Sequence, residues 1–113
     1  MQNRYYFGIW AERVAMLFLV LKGYQILKWR YKSHFGEIDI LAKKATTLIA
    51  VEIKARRSHA LIHQVLSPKQ VDRIQRSLQF FVSRHEKYQN YSLRLDFIAF
   101  NKCFMPKHYR NIN

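Results

Sequence analysis

Two carboxylates and a lysine stand within apolar segments near the middle of the chain. Asp39 lies in Gly-Glu-Ile-Asp-Ile-Leu-Ala, and Glu52 and Lys54 follow in Val-Glu-Ile-Lys. Mg²⁺ prefers hard oxygen ligands and often takes one or two carboxylates, with water and phosphate completing its coordination. A lysine beside such an ion would stabilise charge on a phosphate. These residues predict metal-assisted phosphodiester hydrolysis, with Asp39 and Glu52 binding Mg²⁺ or Mn²⁺ and Lys54 as the catalytic cation.

Both segments are expected to be β-strands, at residues 36–42 and 48–56. The short polar segment 43–47 between them predicts an antiparallel hairpin. Side chains alternate along a strand, so Ile38 and Ile40 should share one face and the charged residues the other. The simpler alternative is that these charges lie on a solvated strand face. The second segment is apolar on both faces, however, which is typical of a central strand where charged residues need a specific reason.

A third carboxylate, Glu12, falls in a helix predicted over residues 8–22 and ended by Gly23. Two interpretations of Glu12 remain open. It is either a first-turn glutamate favoured by the helix dipole or an accessory acid delivered to the metal site. From Val14 onward the helix is apolar on all sides, which predicts that other elements cover most of it.

Three further elements are predicted: a strand over residues 24–31, a helix over residues 67–87 and a strand over residues 91–100. The second helix should begin with a capping box, because Ser67 and Pro68 precede Gln70. On the last strand, Arg94 and Asp96 are expected to pair as structural partners before any role in a site. Residues 101–113 form a basic tail without a structural assignment.

The chain of 113 residues has 20 Lys and Arg against 7 Asp and Glu, giving a formal net charge of +13. This excess predicts a polyanionic partner, with nucleic acid first and an anionic membrane surface as the lesser alternative; the simplest alternative is a charge that only keeps the protein in solution. Basic residues gather on one face of the second predicted helix and open the loop after Lys54, where they can follow a phosphate backbone. The residues predicted to contact nucleic acid are Arg56, Arg57, Lys69, Arg73 and Arg76.

Length and composition favour a single domain over residues 1–113, since half the residues are hydrophobic. Cys103 is the sole cysteine, which predicts a reducing compartment. The apolar run 14–21 is too short to span a bilayer, and no cleavage site of a signal peptide follows it. The expected location is therefore the cytoplasm, without a membrane partner.

The predicted order, α-β-β-β-α-β, resembles the restriction-endonuclease-like superfamily, which includes Holliday-junction resolvases. In finer detail the chain resembles the YraN-like family of poorly characterised bacterial proteins within that superfamily. The matching positions include the two acidic segments, Gly8 and Glu12 in the first helix, Arg94-Leu95-Asp96 in the last strand, and His108 and Asn111 near the end.

The resemblance implies a mixed β-sheet flanked by helices. It also implies metal ligation by Asp39 and Glu52, catalysis by Lys54 and assistance from Glu12, with Glu37 on the same strand face as Asp39. The leading hypothesis is a metal-dependent DNA endonuclease acting on branched or single-stranded structures in repair or recombination. The rival is a nucleic-acid-binding accessory protein that keeps the fold without turnover. A homodimer would suit an enzyme that cuts two strands, although no residue argues for one.

Overall fold

The computed structural model describes residues 2–54, 66–100 and 103–112. Its elements in chain order are α1 (Gln2–Leu21), β1 (Gln25–Ser33), β2 (Gly36–Lys44), β3 (Thr47–Lys54), α2 (Pro68–Arg84), a 3₁₀ turn (Glu86–Tyr88), β4 (Ser92–Phe100) and β5 (Pro106–Tyr109). The predicted order α-β-β-β-α-β is confirmed. β5 is an addition that the sequence did not predict.

The five strands form one mixed sheet in the order β1-β2-β3-β4-β5. β3 and β4 run parallel, and every other neighbouring pair is antiparallel. α2 provides the long connection that two adjacent parallel strands require. The result is an α/β architecture compatible with a restriction-endonuclease-like fold.

The two helices cover opposite faces of the sheet. α1 buries Ala11, Ala15 and Leu19 against one face, together with inward residues of β2, β3 and β4. α2 buries an apolar stripe that includes Ile74 and Leu78 against the other. β3 is therefore covered on both sides, which confirms the interpretation of the second acidic segment as a central strand.

The start of α2 agrees with the prediction from local sequence. Ser67 Oγ accepts the Gln70 N–H at 3.1 Å, and the Gln70 side chain accepts the Ser67 N–H at 3.0 Å. Pro68 occupies the first turn, where its missing N–H costs nothing. The helix ends at Arg84, three residues before the predicted end at residue 87, because the chain continues as the 3₁₀ turn Glu86–Tyr88.

The first helix differs from its prediction at one end and on one face. α1 ends at Leu21, and Gly23 follows with a φ of +96° as expected, but the helix begins at Gln2. Leu17, Val20 and Leu21 are exposed, so the prediction that α1 is covered on most sides is wrong. The sheet covers only one side of this helix. No helix in the described residues is long and apolar enough to cross a bilayer.

A candidate carboxylate active site

The candidate site lies where β2 and β3 separate. Backbone pairing of the two strands ends at Ile40 and Val51, and Asp39 and Glu52 are the next residues outward. Asp39 Oδ2 accepts the Ile53 N–H at 2.9 Å, and the Asp39 N–H donates to Glu52 Oε1 at 3.5 Å. Each carboxylate thus takes a backbone donor of the opposite strand, and the two acids predicted to act together lie side by side.

Asp39 also interrupts the alternation of β2. Ile38 is buried with residues of α2, whereas Ile40 is buried with residues of α1 on the opposite face of the sheet. Opposite this point on β1, Arg30 has a positive φ of 57°. The prediction that Ile38 and Ile40 share a face is therefore wrong. Irregular backbone in both strands reverses the direction of the side chains at Asp39.

Burial dominates the electrostatics of the two carboxyl groups. Burial raises the pKa of Asp39. The hydrogen bond from the Ile53 amide lowers this pKa, and the charge of Glu12 raises it further. Burial and then the charge of Asp39 raise the pKa of Glu52 to about 8. The charge of Asp39 thus disfavours ionisation of Glu52, as expected of two carboxylates in one poorly solvated place.

Two further predicted residues lie within electrostatic range of this pair. The charge of Lys54 lowers the pKa of both carboxyls, and that of Glu37 raises both. Lys54 is half-buried at the end of β3, and Glu37 is exposed on β2. Among the described residues, no cationic side chain is within ion-pair distance of Asp39 or Glu52. Lys54 is thus close to the acids without neutralising them.

Glu12 is near Asp39 but is held by β1. Its Oε1 accepts the Trp29 indole N–H at 2.7 Å and the Arg30 Nε–H at 2.9 Å. Its charge nevertheless raises the pKa of Asp39. The interpretation of Glu12 as a first-turn residue stabilised by the helix dipole is wrong, because α1 begins ten residues earlier. Sequence reasoning missed Trp29 and Arg30, whose contact with Glu12 depends on packing between distant segments.

The chemistry of the donor set fits a hard divalent cation. Asp39 and Glu52 supply carboxylate oxygens, and a bound cation would favour the ionised form of both groups against the burial that raises their pKa values. The described residues contain no group of three or more His, Cys, Asp or Glu arranged to hold a metal. The protein would therefore supply two acidic ligands, a number that Mg²⁺ commonly accepts when water and phosphate complete the shell.

The residues predicted to contact nucleic acid divide into two groups. Arg56 and Arg57 lie outside the described residues. Lys69, Arg73 and Arg76 are exposed on α2, where Arg76 forms an ion pair with Asp72 at 2.9 Å. α2 passes close to the β1–β2 turn, since a Cβ atom on Gly36 would lie 3.5 Å from the Cβ of Arg73.

Asp96 belongs to a separate buried cluster. Arg94 donates two hydrogen bonds to it at 2.9 Å, His108 Nε2 lies 2.8 Å away, and the Asn111 N–H donates at 2.9 Å. Burial would raise the pKa of Asp96, but the hydrogen bonds from His108 and Arg94 hold it below its usual value. The predicted structural pairing of Arg94 with Asp96 is confirmed, and the cluster also fastens β5 to β4.

Comparison with known proteins finds relatives over most of the chain. Residues 11–100 match the model of a family described as uncharacterised protein family UPF0102. A UPF0102 protein of Rhizobium etli is 35% identical over 90% of this chain and 84% of its own length. A UPF0102 protein of Nitrobacter winogradskyi is 36% identical over 89% of this chain and 86% of its own length. A UPF0102 protein of Mesorhizobium japonicum is 34% identical over 97% of this chain and 88% of its own length. The matched region contains α2 and both acidic strands.

Proposed function

The chain belongs to the uncharacterised family UPF0102, and we propose that it is a metal-dependent endonuclease acting on DNA. This membership agrees with the YraN-like resemblance of the sequence. The activity itself is inferred from the site, because the fold alone does not determine a reaction. The observation that carries the proposal is the pairing of Asp39 with Glu52 at the separation of β2 and β3.

The two carboxylates would hold Mg²⁺ or Mn²⁺. A cation bound there supplies an activated water and charge stabilisation at the phosphate. Lys54 would place its ammonium beside the phosphate without forming an ion pair with either ligand. Glu12 would assist through Asp39: Trp29 and Arg30 hold its carboxylate, and its charge raises the pKa of Asp39 and so would strengthen the attraction of Asp39 for a cation.

The charge of the chain supports a nucleic-acid substrate. Arg73 lies on α2 beside the turn that leads into β2, Lys69 is exposed one turn earlier on the same helix, and Arg56 and Arg57 follow β3 in the sequence. Contacts to phosphates carry no sequence information, so binding should depend on the structure of the DNA and not on its sequence. We expect branched or single-stranded DNA in repair or recombination. A cytoplasmic location and a homodimer stay predictions.

The rival proposal is an accessory protein that binds nucleic acid without cutting it. Both proposals require binding that weakens steeply with added salt. They differ in metal-dependent cleavage alone. The test is a panel of labelled single-stranded, duplex, flap and four-way-junction DNAs incubated with Mg²⁺, Mn²⁺ or EDTA.

Three variants make that test specific: Asp39→Asn, Lys54→Ala and, as a control, Glu86→Gln at an exposed carboxylate on the 3₁₀ turn. Asp39→Asn keeps an oxygen to accept the Ile53 N–H, so its effect is not simple loss of that bond. We expect cleavage by the parent protein and by Glu86→Gln, and at least roughly a hundredfold less by the other two. Salt-sensitive binding with no cutting of any DNA would favour the accessory protein.

A further inference from the structure

Three rings meet on the surface where the β1–β2 turn contacts α2. The ring centroid of His34 lies 4.1 Å from that of Phe35 and 5.3 Å from that of Phe80, and the two phenylalanine centroids are 6.0 Å apart. We call His34, Phe35 and Phe80 the ring cluster. His34 is exposed and both phenylalanines are half-buried, so part of the aromatic surface faces solvent.

The ring cluster stands outside the hydrophobic core. The described chain has three groups of buried hydrophobic residues, and neither these groups nor the partly buried side chains packed on them include Phe35 or Phe80. The two phenylalanines pack instead against each other and His34. Aromatic surface that remains open to solvent beside polar residues often marks a binding site.

The turn that carries two of these rings is fixed to α2. Ser33 Oγ lies 2.9 Å from the hydroxyl of Ser77, which is fully buried, and accepts the Phe35 N–H at 3.2 Å. Gly36 has a φ of +152°, a conformation that residues with a side chain rarely adopt, and its backbone lies next to Arg73 and Ser77 of α2. The rings are therefore positioned before any ligand arrives, which reduces the entropy lost on binding.

Phe80 also lies within the basic face of α2. At 3.6 residues per turn, one stripe of the helix contains Lys69, Arg73, Arg76, Phe80 and Arg84. The guanidinium carbon of Arg84 lies over the ring of Phe80, 5.7 Å from its centroid, so a cation sits against one face of that ring. Sites for single-stranded nucleic acid combine such parts: cations follow the phosphates, and aromatic faces stack the bases.

We propose that the ring cluster stacks unpaired nucleobases, so that the substrate is DNA with a single-stranded segment. This inference rests on the proposed function, and it assigns the expected preference for DNA with unpaired bases, such as flaps and gaps, to three named side chains. A base within a continuous duplex has both faces covered by its neighbours and offers none to the rings. Phe35 precedes Asp39 by four residues, at most about 13 Å along the chain, so the ring cluster and the carboxylate pair both lie near the start of β2.

The test measures binding without cleavage. A 16-nucleotide single-stranded DNA with one 2-aminopurine, and a duplex of the same length, are titrated with protein in EDTA. 2-Aminopurine is a fluorescent base, and stacking on a ring quenches its fluorescence. We expect Phe80→Leu and Phe35→Leu to weaken single-strand binding by roughly tenfold or more, following the usual contribution of one stacked base, and to lose the quenching. Duplex binding should change less than about twofold, because cations alone carry it.

Two matched variants separate stacking from packing. Phe18 on α1 is a half-buried phenylalanine with Lys22 four residues later and 5.1 Å from its ring, as Arg84 follows Phe80. Phe18→Leu should leave both affinities unchanged. Phe80→Tyr keeps an aromatic face and should retain binding and quenching. If Phe35→Leu unfolds, the comparison of Phe80→Leu with Phe80→Tyr still decides the question.

The outcomes distinguish this inference from the proposed function. Equal losses for single strand and duplex, or unchanged single-strand binding in Phe80→Leu, would overturn stacking even if the protein cuts DNA. A selective loss of single-strand affinity together with lost quenching would support stacking even if no DNA is cut. In that case only the proposal of endonuclease activity would be wrong. A single-stranded RNA of the same length tests whether the unpaired base or the deoxyribose is recognised.

Discussion

Replacing Glu52 by Gln should stabilise the metal-free protein at neutral pH and remove most of its loss of stability on going from acid to neutral pH. Burial and the charge of Asp39 raise the pKa of Glu52 to about 8 in the folded protein, from an ordinary value of 4.5. The folded state therefore keeps a proton that the unfolded chain has released. Glu52 contributes no penalty below about pH 4.5, and its penalty grows as the pH rises toward 8.

The size of this effect follows from proton linkage. While the folded group is protonated and the unfolded group is not, the free energy of unfolding falls by about 1.4 kcal/mol per pH unit. Between pH 5 and pH 7 the full slope would remove nearly 3 kcal/mol, and we expect about 2 kcal/mol because the side chain keeps some solvent contact. In a chain of this length that corresponds to roughly 8 °C in Tm. Glutamine has a similar shape, and its amide does not ionise.

The assay is thermal and urea unfolding in EDTA at pH 5, 6, 7 and 8 for the parent protein, Glu52→Gln and the control Glu86→Gln. The difference between Glu52→Gln and the parent protein should grow with pH, whereas Glu86→Gln should follow the parent protein. Adding Mg²⁺ or Mn²⁺ should stabilise the parent protein most at pH 8, where a larger fraction of Glu52 is already ionised and the metal displaces fewer protons. The same addition should stabilise Glu52→Gln little. Parallel pH curves for the parent protein and Glu52→Gln would refute the reasoning, because Glu52 would then be solvated and ionised.

Two more predictions concern the buried aspartate and the basic helix. Asp96→Asn should cost about 3 kcal/mol in urea unfolding, because Arg94 and His108 lose their buried partner, whereas Asp72→Asn in an exposed pair should cost less than about 0.5 kcal/mol. The contribution of Asp96 to the free energy of unfolding should be full above its unfolded pKa and disappear as the pH falls through its lowered folded pKa. Equal costs for Asp96→Asn and Asp72→Asn would contradict the stabilising role of Asp96. For DNA binding, Arg73→Gln should reduce the slope of log affinity against log salt by about 1, and an unchanged slope would exclude a phosphate contact.

The parts of the fold that the sequence predicted are those fixed by local interactions. The capping box at Ser67 needs only neighbouring residues, and the two acidic strands are joined by a short turn, so the approach of Asp39 to Glu52 follows from the hairpin. β5 was missed because its position depends on Asp96 receiving hydrogen bonds from His108 and Asn111, more than ten residues away.

The details of the site were harder to predict because they depend on departures from regular structure. A strict two-residue alternation placed Ile38 and Ile40 on one face, and the irregular backbone at Asp39 and Arg30 reverses that assignment. The start of α1 lies in a segment without an apolar period, so the sequence predicts a start at residue 8 and leaves a first-turn position open for Glu12 beside the role of accessory acid. Its contacts with Trp29 and Arg30 require β1 to pack beside α1, which no local pattern reveals.

The contrast between the two acidic sites is the strongest argument for a ligand at the carboxylate pair. Asp96 is fully buried, yet Arg94 and His108 keep its pKa below the usual value. Asp39 and Glu52 retain some exposure, yet their pKa values are raised, and none of the described cationic side chains forms an ion pair with either. With 20 Lys and Arg for 7 acids, this chain has ample cations for its carboxylates. Two neighbouring acids that pair with none of the described cations cost stability at neutral pH, and the proposed divalent cation would supply the compensating charge.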